Sequence, residues 1–329
     1  MNQFDIISIG DITTDAFIRL KDAAVNCDIN KESCTLCMRF GDKIPFDFDK
    51  IVPAVGNSPN AAVSAARLGL ASALVAQIGD DRNGEECLAT LIKENVHTDF
   101  VVKHPGKKTN YHYVLWYEDE RTILIKHESF DYKLPDLGNP KWIYLSSLGE
   151  SASDLHDHLA SYLESHPEIS LSFQPGTFQM KLGTEKLAKL YARVNVFFCN
   201  LEEAKRILNS TETDTKKLLD GLRTLGPKIA IITDGPKGAY ASDGTEYLFM
   251  PPYPDPKPPY ERTGAGDAFS STVTSALCLG IPLKEALRWG PINSMSVVQK
   301  IGAQEGLLTR AELEKYLAEA PADYQPRPL

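Results

Sequence analysis

Val194-Asn195-Val196-Phe197-Phe198-Cys199-Asn200-Leu201-Glu202-Glu203-Ala204-Lys205-Arg206-Ile207-Leu208 holds the architecture in miniature. Val194–Cys199 is an almost unbroken apolar run, the mark of a strand covered on both faces. Asn200 can accept from first-turn amides, and Glu203 can reach back to the Asn200 amide. A capped helix therefore begins at once over Leu201–Leu208. A buried strand turning straight into a capped helix is the repeating unit of a parallel α/β sheet.

The unit recurs in both directions. Strands are expected at Phe4–Ile9, Ala73–Ile78, Trp142–Leu145, Ile169–Phe173 and Ile229–Thr233. Helices are expected at Asn60–Leu68, Arg82–Asn95, Ala152–Glu164, Thr184–Arg193 and Asp214–Leu225. Ser58 is read as the N-cap of the first, with Pro59 at its first helical position. Gly238–Ala241 and Glu246–Met250 flank Ser242-Asp243-Gly244, a hairpin signal. The chain closes with helices at Ala265–Leu279, Leu283–Ile301 and Arg310–Ala318. The order predicts one α/β domain over residues 1–329, a doubly wound, mostly parallel sheet flanked by helices. Two segments, about 15–52 and about 100–127, break the alternation. The second reads as a hairpin, Tyr111–Tyr117 and Thr122–Lys126 about a turn at Glu118–Arg121, and together they predict a small β lid.

The 329 residues are 43% hydrophobic and 24% charged, with a net charge of −9. Such a chain can bury a large core without staples. Its acidity disfavours nucleic acid and anionic membranes, which need surplus Lys and Arg, and leaves small molecules as partners. Met1–Ile9 carries no basic leader, and no stretch reaches the roughly 18 apolar residues of a membrane helix. Six irregularly spaced Cys fit a reducing compartment better than a disulfide framework, so the expected location is cytoplasmic. Cys34-x-x-Cys37, with Cys27 upstream, lacks a fourth zinc ligand and is read as small buried or lid thiols.

Thr263-Gly264-Ala265-Gly266-Asp267 opens a long helical run. Small residues at a helix start leave amides uncovered, and the dipole adds positive potential, which suits a phosphoryl group in flight. Asp267 in the first turn could take the proton of an attacking hydroxyl. Alone, the pattern is as readily a capped tight turn. Thr233-Asp234-Gly235-Pro236-Lys237-Gly238, at a strand exit, could border a nucleotide, with Lys237 near its phosphates. Asn200 and Glu203 could orient Mg²⁺-bound water as well as cap a helix.

Taken together and in this order, these motifs resemble the ribokinase-like (PfkB) carbohydrate kinase family. Further matches are Gly10-Asp11-Ile12-Thr13-Thr14-Asp15, Gly56-Asn57-Ser58-Pro59-Asn60-Ala61-Ala62, Ala65-Ala66-Arg67-Leu68-Gly69 and Gln77-Ile78-Gly79-Asp80-Asp81, with Gly84 behind the last. The resemblance implies a ribokinase-like fold with a β lid and transfer of the γ-phosphoryl group of MgATP to a hydroxyl of a sugar or related alcohol. It implies Asp267 as general base, and Gly264, Ala265 and Gly266 as the anion hole. Asp15, Gly56, Asn57 and Asn60 would bind the acceptor, Thr233, Gly235, Gly238 and Asn293 the nucleotide, and Asn200 and Glu203 the magnesium. A homodimer through the lid is a further expectation. Three departures stand out. Val55-Gly56 replaces paired glycines. Glu261 stands where an Asp often precedes the Thr, which puts potassium activation in doubt. Gln174-Pro175-Gly176 replaces an Asn-Pro or Asp-Pro, with no consequence legible in the sequence.

Two rival readings share these residues. One is a nucleoside kinase in which Tyr111, Tyr113 and Trp116 stack on a base. The other, resting on Val55 and Glu261, is a nucleotide or sugar sensor without turnover. His97, His104, His112, His127, His156 and His158 are read as surface or satisfied histidines. Lys43, Arg121 and Lys126 are read as solvated strand residues, in preference to contacts with an acidic or phosphorylated substrate.

Overall fold

The computed structural model describes residues 3–27, 34–118 and 120–329. Residues 28–33 of the first lid segment, and Asp119 in the expected hairpin turn, lie outside the described residues.

One sheet of ten strands forms the body. From edge to edge these are Arg327–Pro328, Tyr247–Met250, Ala239–Ser242, Ile229–Thr233, Val196–Asn200, Ser170–Phe173, Trp142–Leu145, Ile6–Ile9, Ser72–Gly79 and Val101–His104. From Ile229–Thr233 to Val101–His104 every pairing is parallel, and from Ile229–Thr233 to the opposite edge every pairing is antiparallel. Successive residues of each central strand are buried on opposite faces. Ile7, Ile143, Phe197 and Ile232 pack with Leu155, Leu159 and Leu222 from helices Ser153–Ser165 and Thr215–Thr224. Phe198 and Ile231 pack on the other face with Phe269 and Ile292 from helices Ala265–Cys278 and Leu283–Val297. Burial on both sides is why these strands read as continuous apolar runs.

Two helix readings are corrected. The expected helix Thr184–Arg193 shrinks to Ala188–Tyr191 and is preceded by another, Thr177–Leu182, which Gly183 ends at φ 84°. The first helix spans Asn57–Arg67 with Gly56 at its N-cap, so Ser58 lies inside it. Ser58 is fully buried, and its Oγ donates to the Ile9 carbonyl at 2.7 Å and lies 2.5 Å from Ser146 Oγ. It fastens the helix to two strands instead of capping it.

Phe46–Val55, Thr13–Leu20, Asn110–Tyr117 and Glu120–Leu124 form a separate four-stranded sheet in that order, the lid. Val101–His104, inside the second expected lid segment, instead pairs with Ser72–Gly79 at the edge of the body. A hairpin of Ala24–Cys27 and Cys34–Cys37 completes the first lid segment. Its register sets Cys27 opposite Cys34 with Cα atoms 4.0 Å apart, and the two form a disulfide. The reading of both as free thiols is thereby corrected, since cross-strand register cannot be counted from spacing alone. No described helix is long and apolar enough to cross a membrane.

Candidate active site

The carboxyl ends of the parallel strands form one crest, where Gly10-Asp11, Ser146, Gln174, Asn200 and Thr233 emerge. Helix Ala265–Cys278 starts over this crest from Gly264, which has φ +82°. A Cβ on Gly264 would lie 2.4 Å from the Ala303 Cβ, so both backbone conformation and space demand glycine there. Nothing crowds Gly266, and its amide, like those of its neighbours in the first turn, has no intrahelical acceptor.

Asp267 sits in that first turn. Its Oδ1 accepts from Asn57 Nδ2 at 2.9 Å and Gln174 Nε2 at 3.1 Å, and its Oδ2 accepts from Asn60 Nδ2 at 2.8 Å. Burial raises its pKa above the ordinary carboxylate value, against the pull of the Asn60, Gln174 and Asn57 amides and of the Arg121 charge. A carboxylate made more basic by burial, with fixed donors that favour its ionised form, is suited to accept a proton. Gln174 is a residue whose role the sequence did not reveal. Its Oε1 takes hydrogen bonds from Ser270 Oγ at 2.8 Å and from the Tyr144 hydroxyl. That double anchor aims its amide at Asp267, which is the consequence of the departure at Gln174-Pro175-Gly176.

On one side of Asp267 lies a cavity of about 460 Å³, bordered by Thr233, Gly235, Gly238, Ala265 and Gly266. Thr233, Gly235 and Gly238, three of the expected nucleotide residues, therefore share one cleft with Ala265 and Gly266. Lys237 and Asn293 do not join them. Lys237 is 73% exposed and pairs with Asp234 at 3.5 Å. Asn293 is fully buried, its Nδ2 donating to Thr272 Oγ1 at 2.8 Å and its Oδ1 accepting from the Leu308 amide at 2.9 Å. It ties three chain segments together, while Pro291, Ser294 and Met295 of the same helix face the cleft.

On the other side, Gly56 at φ +121° brings its Cα against Asp11, whose carbonyl oxygen a Cβ there would meet at 2.7 Å. Asp11 accepts from Tyr132 Oη at 2.5 Å, and its Oδ2 lies 3.1 Å from His127 Nδ1. Asp15, on the lid, has Oδ1 3.3 Å from His112 Nδ1. Asp15 Oδ1 and His112 Nε2 are both buried without a hydrogen-bond partner among the described residues. The two imidazoles lie 5.2 Å apart. His127 is satisfied by Asp11, as its reading as a surface or satisfied histidine expects, whereas His112 keeps a buried Nε2 with no partner among the described residues. Beside His127 and Gly149 opens a second cavity, of about 500 Å³, whose lining includes Glu128, Glu150 and Phe178 but no Lys or Arg among the described residues.

Asn200 and Glu203 make the reciprocal cap: the Glu203 amide donates to Asn200 Oδ1 at 2.8 Å, and the Asn200 amide to Glu203 Oε2 at 2.9 Å. Burial nonetheless raises the Glu203 pKa, against the Asn200 amide, and the Asp267 charge raises it further, so the two carboxylates share one field. Glu261 is 2% exposed. Its Oε1 accepts from the Thr263 amide at 2.7 Å and Thr263 Oγ1 at 2.5 Å, and its Oε2 from the Gly302 amide at 3.3 Å.

A buried carboxylate at a helix start, beside a cleft of about 460 Å³ and under a β lid, is an arrangement that suits a small-molecule kinase. The chain belongs to the pfkB family of carbohydrate kinases, which it matches over residues 54–310. It is thus a phosphotransferase with an alcohol acceptor. It is 30% identical over 271 residues to the ribokinase of Bacillus subtilis, covering 80% of this chain and 87% of that one. It is 28% identical over 293 residues to the ATP-dependent 6-phosphofructokinase of Thermoanaerobacterium thermosaccharolyticum, covering 80% and 84% respectively. Its fold matches that of Arabidopsis thaliana ribokinase complexed with ribose and ATP, with TM-score 0.78, 18% identity, and 96% and 99% of the two chains covered.

Proposed function

We propose that the chain transfers the γ-phosphoryl group of ATP to a hydroxyl of an uncharged, sugar-like acceptor, with Asp267 as general base. The observation that carries this reading is the place of Asp267, bonded to Asn57 and Asn60 on the acceptor side and adjoining Ala265 and Gly266 on the cleft side. Asp267 takes the hydroxyl proton, the hydroxyl oxygen bonds to the γ-phosphorus, and the bond to the β-phosphate oxygen breaks to release ADP. The amides of Gly264, Ala265 and Gly266 stabilise the charge that develops on the phosphoryl oxygens.

Magnesium would neutralise the nucleotide phosphates when bound. Asn200 Oδ1 and Glu203 Oε2 are occupied by the cap, which leaves Glu203 Oε1 for an outer contact through metal-bound water, the mode Mg²⁺ favours. Monovalent-cation dependence is not expected, because internal donors already hold both oxygens of Glu261. Replacing potassium by tetramethylammonium in the assay should change kcat by less than about twofold. A strict potassium requirement would show that the loop reorganises around an ion.

The acceptor side supports an uncharged polyhydroxyl substrate. Asp11, Asp15 and two imidazoles offer hydrogen-bonding groups, and the cavity beside His127 is lined by Glu128 and Glu150 with no Lys or Arg among its described lining residues. A phosphorylated acceptor would find no counter-charge there. Base stacking by the lid aromatics gains no support. Tyr111 and Tyr113 pair with each other at 5.2 Å and alternate with His112, which places them on the opposite lid face. Trp116 is 1% exposed and packed by Tyr260 and Phe48. Thermal shift should register ribose or fructose and give no response to fructose 6-phosphate; stabilisation by the phosphate ester would refute the charge reasoning. The sensor reading rests on Val55 and Glu261, but Val55 is buried between Ala54 and Gly56, both at positive φ, and Glu261 holds its loop together, so neither residue speaks against turnover. Ile51, Ala16, Tyr113 and Leu124 are in cross-strand register, and Ile51, Tyr113 and Leu124 are exposed. We place the dimer contact on that face, and sedimentation of Tyr113→Asp as a dimer like the wild type would remove it from there.

A further inference from the structure

Arg121 begins far from Asp267 in sequence and reaches the phosphoryl path from the lid. It lies in strand Glu120–Leu124, and the hairpin carrying it is docked on the body. Trp116, its cross-strand partner, packs edge-on against Tyr260 at 5.1 Å and donates from Nε1 to the Glu118 carbonyl at 3.0 Å. This docking brings Arg121 to the rim of the 460 Å³ cleft, with Nε 3.9 Å from Glu261 Oε1. Arg262, in the loop before the anion hole, reaches the same cleft from the body. The Nε of each is buried and has no hydrogen-bond acceptor among the described residues. A buried guanidinium Nε without an acceptor is costly, and two of them at one cavity point to a ligand that supplies the acceptors. Among the described residues lining the cleft, the carboxylates are Glu120 and Asp255, both exposed.

We propose that Arg121 and Arg262 clamp the polyphosphate of the nucleotide, Arg121 contacting the transferring γ-phosphoryl group and Arg262 the phosphates nearer the nucleoside. This rests on the kinase reading above for the nature of the ligand. The Arg121 charge acts on Asp267 and that of Arg262 on Asp255, consistent with inner and outer positions along the cleft. Arg121 stabilises charge on the equatorial oxygens while Asp267 takes the proton. Because the residue is part of the lid, phosphoryl transfer would require the lid to be docked.

The test is calorimetric titration of the full chain with ATP and with ADP, paired with steady-state kinetics. Arg121→Ala should weaken ATP by about tenfold and ADP by less than twofold, and lower kcat by at least 100-fold. Arg121→Lys should recover part of kcat, as should guanidinium ion added to Arg121→Ala. Arg262→Ala should weaken ATP and ADP alike by about tenfold. Equal losses for ATP and ADP in Arg121→Ala would mean that the residue only holds the lid in place, and kcat within threefold of wild type would also overturn the assignment. If the wild type binds ATP but transfers nothing, the kinase reading fails while the ATP-to-ADP affinity ratios still decide the clamp. If those ratios do not change while the wild type turns over, the clamp alone fails.

Discussion

Asp267→Ala lowers kcat by a factor of about 10² to 10⁴, the range for removing a positioned general base, equivalent to about 3–5 kcal/mol in the barrier. The variant should still bind nucleotide, because the cleft is bordered by Thr233, Gly235, Ala265 and Gly266 and not by Asp267 itself. It should also stay folded. Burial raises the Asp267 pKa, so ionising it costs stability as pH rises through the folded-state value. The variant sheds that cost while losing the contacts of Asn57, Asn60 and Gln174. The same shift sets the sign of the pH profile. The base acts when ionised, so wild-type kcat/KM falls as pH drops through the raised pKa, at a pH above the ordinary 3.8. Asn60→Ala removes a donor that favours the ionised form and should move this acid limb further up. An Asp267→Ala enzyme of full activity would end the assignment.

Gly264→Ala damages fold and rate together, whereas Gly266→Ala damages rate alone. At Gly264 a side chain meets a left-handed backbone, worth roughly 1–2 kcal/mol, and an Ala303 contact at 2.4 Å. The helix start must shift, and its amides lose their aim. Loss of one such donor costs about 10²–10³ in kcat, with a clear fall in Tm. At Gly266 a Cβ meets nothing within 4 Å of the protein. Its methyl would stand in the cleft the residue lines, raising the KM for ATP with the Tm unchanged. Equal effects of the two substitutions on Tm, read by calorimetry, would contradict the distinction.

The strands were legible because each is apolar along its whole length, and that is so because helices cover both faces. The reading of Val194–Leu208 gave strand, cap and helix in their observed order: Asn200 and Glu203 do form the cap. Local signals failed where the deciding partner is distant in sequence. Asn293 lies on the expected helix, but its partners Thr272 and Leu308 turn it inward, and no spacing rule announces that. Ser58 reads as a cap until Ile9 and Ser146 claim its hydroxyl. Gln174 looked inconsequential because Asp267, which it orients, is 93 residues away. Cys27 and Cys34 looked irregular until hairpin register paired them. Arg121 looked solvated because lid docking, made by Trp116 and Tyr260, is a tertiary event.

The central claim is that Asp267 and the Gly264–Gly266 turn transfer phosphate from ATP to an uncharged hydroxyl acceptor. The most direct measurement follows label from γ-³²P-ATP in a panel of neutral sugars, nucleosides and sugar phosphates, with wild type and Asp267→Ala side by side. The account predicts label on a neutral sugar with the wild type, none on sugar phosphates, and transfer reduced at least a hundredfold in the variant. Bound ATP with no labelled acceptor anywhere in the panel, or label transferred equally by both proteins, would contradict it.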